Sequence, residues 1–127
     1  MEELEFIELI FPCLRGELID YLQGLSDACY QHCAWVEHKY PIGGYDELDY
    51  AIHFLYDDTK LAKDPGATVG SILKNREEVD CIEILIEKLN LIFVKYGFDL
   101  TDGEYIEKPE WREVIQAAAN AKICLGK

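Results

Sequence analysis

Apolar residues recur along this chain at the 3.6-residue spacing of helices that bury one face. The clearest run spans residues 77–96. There Val79, Ile82, Leu85, Ile86, Leu89, Ile92 and Phe93 share one stripe, and Gly97 supplies a C-terminal stop. Earlier, Pro12 suits a first helical position, and Leu14, Leu18, Leu22 and Leu25 repeat at helical spacing up to a break at Ser26-Asp27. Asp27 is placed to cap a second helix carrying Ala28, Tyr30, Cys33, Ala34, Trp35 and Val36. That helix must end before Pro41, with Ile42-Gly43-Gly44 as a loop.

Residues 48–57 admit two readings. As a helix, Asp46 and Asp49 form a capping box with a shortened acid, and Leu48, Ile52 and Leu55 line one stripe flanked by Ala51 and Phe54. As a strand, Leu48, Tyr50, Ile52, Phe54 and Tyr56 alternate with the residues between them. Capping and the scarcity of β-branched residues, Ile52 alone, favour the helix. Residues 57–66 are rich in turn formers and read as a surface loop, followed by a short helix near Val69, Ile72 and Leu73. After a loop at 99–103, Pro109 opens a closing helix in which Trp111, Val114, Ile115, Ala118, Ala119 and Ile123 pack. The pattern predicts a mainly α, single-domain helical bundle of about five to six helices over residues 1–127, with 1–11 as a variable N-terminal lead.

Composition narrows the function classes. Half the residues are apolar, which excludes intrinsic disorder. The acidic start lacks the basic flank of a signal peptide, and no apolar run reaches membrane-spanning length, so a cytoplasmic protein is expected. The 25 acidic residues outnumber 12 Lys and Arg, giving a formal net charge of −13. Such a chain repels nucleic acid and anionic membrane and attracts basic partners, although acidity also serves solubility alone. Five cysteines make no even disulfide framework. Cys29 and Cys33, with His32 and His38 near, lack a second Cys/His pair for zinc and read more simply as a core-facing helical pair.

Candidate chemistry is sparse. Gly43-Gly44 lacks the downstream Lys-Ser/Thr of a phosphate loop, no hydroxyl residue sits in a nucleophile elbow, and no catalytic residue, metal ligand or cofactor is assigned. One constellation stands out: Asp49, His53 and Asp57, with Asp58. On a helix, spacings of four stack these side chains on one face. They would serve acid/base chemistry, an oxygen–nitrogen metal site, a solvated surface, or a partner-binding face. Tyr45, Tyr50 and Tyr56, with Trp35 and Tyr40 upstream, add aromatic anchors of the kind that protein interfaces use.

The run Glu17 to Asp27, then Tyr30-Gln31 and Trp35-Val36, the stretch Tyr45 to Thr59, and Asp64-Pro65, Val69-Gly70 and Pro109-Glu110-Trp111 carry a resemblance. They resemble a family of small acidic bacterial proteins, mostly uncharacterised, some of which serve as immunity proteins beside contact-dependent growth-inhibition toxins. The likeness spans residues 15–120, and the Tyr45-to-Thr59 run is its most specific part. The family implies no catalytic residues. It implies an immunity protein that binds a cognate toxin, a basic nuclease domain, and like-charge repulsion makes a monomer or weak dimer the expected state. The contact face would comprise Asp46, Glu47, Asp49, Tyr50, Asp57 and Asp58, with Asp99, Asp102, Glu104, Glu107 and Glu110 as a rival face. The alternatives are an enzyme centred on Asp49, His53 and Asp57, and a regulatory protein-binding module.

Overall fold

Six α-helices build the computed structural model, which describes residues 9–39 and 46–126. They are α1 (Pro12–Leu25), α2 (Ala28–Gln31), α3 (Leu48–His53), α4 (Arg76–Tyr96), α5 (Asp102–Ile106) and α6 (Trp111–Leu125). α2 runs on as a π-helical turn over His32–Val36, and α3 does the same over Phe54–Asp58. A 3-10 turn covers Pro65–Thr68. Among the described residues there is no strand beyond an isolated bridge between Val69 and Leu73, and no helix is long and apolar enough to cross a membrane. The mainly α, single-domain reading stands. Most of the expected N-terminal lead, together with Tyr40, Pro41, the Gly43-Gly44 loop and Tyr45, lies outside the described residues.

The long helices follow from their sequence signals. Pro12 opens α1, which buries Leu18, Leu22 and Leu25. Asn75 caps α4 by accepting from the Glu78 N–H at 3.0 Å, and Glu77 and Glu78 in the first turn with Lys95 in the last complement the helix dipole. Gly97 ends α4 at a φ of 83°, a conformation that costs glycine little. α6 packs against α4 and α1 and completes the core, burying Trp111, Val114, Ala117, Ala118 and Ala121. Trp111 meets Trp35 edge-on at 6.4 Å, and its indole N–H donates to Gln31 Oε1 at 2.8 Å. Gln31 in turn donates to the Gly24 carbonyl at 2.8 Å, so this fully buried amide is paired at both ends.

A buried ion pair joins the bundle. Arg15 makes two parallel 2.9 Å bonds to Glu78 and also donates to the carbonyls of Ile72, at 2.9 Å, and Leu125, at 3.0 Å. Glu78 Oε1 also accepts from the Lys74 N–H at 2.7 Å. One guanidinium thereby ties α1, α4, the segment before α4 and the end of α6.

Several local expectations need correction. Residues 48–53 are helical, but Asp46 and Asp49 form no capping box: Glu47 is the cap residue, and its side chain does not cap the helix. The Leu48 N–H instead donates to Asp102 Oδ2 at 3.0 Å, from 54 residues away. Leu48 and Leu55 of the expected stripe are buried, but so are the flanking Ala51 and Phe54, while Ile52 is only partly buried. The 57–66 segment is pinned at Leu61 and Pro65, both buried, rather than lying wholly on the surface. No helix forms at Val69–Leu73, and Asp102 begins α5 inside the expected 99–103 loop. Ile123 is 65% exposed, because the buried register of α6 runs through Ala121, Cys124 and Leu125 instead. Cys29 and Cys33 are both exposed, not a core-facing pair, because Gln31, Ala34 and Trp35 hold the inner face.

Candidate functional site

α3 and its π-helical extension place Asp49, His53 and Asp57 in line. His53 Nδ1 lies 2.6 Å from Asp57 Oδ2, and Nε2 lies 3.2 Å from Asp49 Oδ2. All three side chains are more than half exposed. The bond to Asp57, then the charge of Asp49, raises the imidazole pKa above its ordinary value, with weaker help from the charge of Asp58. A carboxylate at each ring nitrogen favours the two-donor imidazolium, a form with no lone pair to abstract a proton. Nor, among the described residues, is any group of three or more His, Cys, Asp or Glu placed to hold a metal ion.

The other members of the expected face divide by burial. Asp49, Tyr50, Asp57 and Asp58 are exposed, whereas Asp46 and Glu47 are half-buried. Asp46 is turned inward: its Oδ2 accepts from the Tyr30 hydroxyl at 2.5 Å and from the Trp35 indole N–H at 3.1 Å. Burial, then the Asp46 bond, raises the Tyr30 pKa and keeps the phenol a neutral donor. Tyr56 is structural. Its ring meets Phe93 edge-on, its hydroxyl donates to Asn90 at 2.7 Å, and burial pushes its pKa up to about 12.

The rival stretch is largely committed within the fold. Glu104 closes a capping box with Thr101. Glu110 binds Lys95 at 2.6 Å and Tyr96 at 2.8 Å, and those bonds draw its pKa down to about 2. Asp102 caps α3. Burial raises its pKa, the Leu48 N–H opposes that, and the charges of Glu47, Asp49 and Asp46 add to the rise. The two stretches, separate in sequence, therefore meet where α5 touches the start of α3. Asp99 and Glu107 remain exposed.

Two features extend this surface beyond what spacing could reveal. A hollow beside α3 is lined by Asp49, Ile52, Phe98 and Asp102, among others, and Phe98 stands 78% exposed while stacking on Phe93 at 5.1 Å. A second, aromatic-walled cleft lies between α1, α2 and Asp46. Meanwhile the lysine and arginine ion pairs of the described residues fall elsewhere: Arg15–Glu78, Lys39–Glu37, Arg76–Asp80, Arg76–Glu83, Lys88–Glu113 and Lys95–Glu110. Among the described residues, Asp49, Asp57 and Asp58 pair with no lysine or arginine.

A family model described as a domain of unknown function (DUF7945) matches residues 9–127. No curated protein and no solved structure matches the chain.

Proposed function

We propose, for a chain that belongs to the DUF7945 family of domains of unknown function, that it is an immunity protein. In this reading it binds and neutralises a cognate bacterial toxin domain, a basic nuclease, in the cytoplasm and without performing chemistry itself. The observation that carries the reading is the surface built on α3. Asp49, Tyr50, Asp57 and Asp58 are exposed together, no described lysine or arginine neutralises the three acids, and Phe98 stands close by as an apolar anchor. Acids steer a cationic surface into place, while exposed aromatic rings supply the area that anchors it. The resemblance noted above points the same way.

Co-expression with the toxin encoded beside its own gene tests this directly. Growth is restored when the chain is present and lost when it is deleted. If growth stays blocked and the purified proteins form no complex, the immunity reading is wrong. A regulatory protein-binding module would share the acidic surface but would lack a toxin gene next to it.

A further inference from the structure

The cleft between α1, α2 and Asp46 has a volume of about 300 Å³ and is lined by Asp20, Tyr21, Asp27, Tyr30, Trp35 and Asp46, among others. Its size lies at the small end of ligand pockets. Three features of its construction define what it would hold. First, its walls are aromatic. Tyr30 lies so close to α1 that a Cβ on Gly24 would come within 3.3 Å of its ring, and Tyr21 is braced against Phe54 with ring centres 4.9 Å apart. Second, the Asp46 carboxylate is fixed in orientation, because the Tyr30 and Trp35 donors both fall on Oδ2. Those donors are neutral and bring no counter-charge to the carboxylate. Third, Asp20 and Asp27 come from α1 and the start of α2, and among the described residues neither pairs with a lysine or arginine.

Ring faces with anionic rims select a cation that is flat, weakly hydrated and able to donate several hydrogen bonds. A guanidinium meets all three conditions, since it stacks on aromatic faces and bonds carboxylates two at a time; an ammonium meets them less well. We propose that this cleft receives an arginine side chain of the protein partner, seated among Tyr21, Tyr30 and Trp35 and charge-paired with Asp46 and Asp20. The inference rests on the protein-binding reading above and adds the anchor residue that the partner must carry. The cleft borders the α3 element: Ala51 of α3 is among its lining residues, and Tyr21 packs on Phe54 at the start of the π-helical extension.

The test uses the intact chain labelled with nitrogen-15 and follows the indole N–H resonance of Trp35 as N-acetyl-arginine methylamide is added. A saturable shift is expected, absent with the uncharged citrulline analogue and weakened at least about tenfold in D46N and D20N. D46N keeps an oxygen for Tyr30 and Trp35, and Asp20 is exposed, so unchanged melting temperatures identify these as binding effects. No shift, or an equal shift with citrulline, overturns the proposal. The second arm measures toxin affinity: D46N is expected to speed dissociation about tenfold or more. If toxin affinity is unchanged in D46N, the partner-arginine assignment is wrong whether or not the small probe binds. In that case the immunity reading survives on its own rescue result. Conversely, a saturable arginine shift without growth rescue keeps the cleft and removes the toxin.

Discussion

His53 is the residue whose charge state reports on the α3 face. Its pKa in the folded protein lies above the ordinary value, first through the Asp57 bond and then through Asp49. The folded state therefore binds the proton more tightly than the unfolded chain. The stabilisation is complete below the unfolded pKa and disappears as pH rises through the higher folded value. An NMR titration should place His53 above the usual histidine range, and D57N should return it most of the way. An ordinary wild-type value would mean that the imidazole is not held between the acids in solution. Arg15 presents the opposite environment. R15A leaves Glu78 buried without its counter-charge and should cost about 3–5 kcal/mol in denaturant unfolding, whereas replacing both partners by methionine should cost far less. The two sites also differ in how far spacing reveals them. Asp49, His53 and Asp57 share one helix at intervals of four, so periodicity alone aligns them. Arg15 and Glu78 are 63 residues apart, and each sits in a helix where any charged residue reads as surface.

At the level of elements, helix ends decide what the sequence can tell. α1, α4 and α6 carry their own boundary signals or a long apolar stripe, and they form where the pattern puts them, within a residue or two. α3 does not cap itself. Its first amide is satisfied by Asp102, a partner that no local rule could nominate. D102A should cost about 1 kcal/mol, as the loss of a helix cap does. D102N keeps an acceptor oxygen and removes a charge from beside Glu47, Asp49 and Asp46, so thermal unfolding should find it close to wild type at neutral pH. The sign follows from the raised pKa. Asp102 favours the fold most when protonated, and its contribution declines as pH rises through the folded value. D102N should flatten that part of the pH profile. The 69–73 segment shows a different failure. Val69, Ile72 and Leu73 match helical spacing, yet Gly70 adopts a φ of 94°, and the amides of Ser71, Ile72 and Leu73 all converge on the Thr68 carbonyl at 2.9–3.1 Å. A left-handed glycine followed by a shared acceptor makes a compact turn, which apolar periodicity cannot distinguish from a helix.

For the whole molecule, the net charge of −13 sets how it meets other proteins. Attraction between this surface and a basic partner is screened by salt, so stopped-flow association with the toxin should slow steeply between low and physiological ionic strength. D57K/D58K should slow it further while leaving the circular dichroism spectrum unchanged. A rate indifferent to both salt and these substitutions would place the contact away from α3. The assembly of the acidic surface from residues 46–58 and 99–110 was not legible, since sequence offers them as competitors and only the α3–α5 junction shows them as neighbours. The guanidinium of Arg15 carries one more implication, for biosynthesis. Its acceptors include Leu125, which leaves the ribosome after Arg15, Ile72 and Glu78. During translation α1 and α4 emerge first, and their charged pair has to wait in a partly solvated state until α6 arrives. Closure of this network is thus tied to the synthesis of α6.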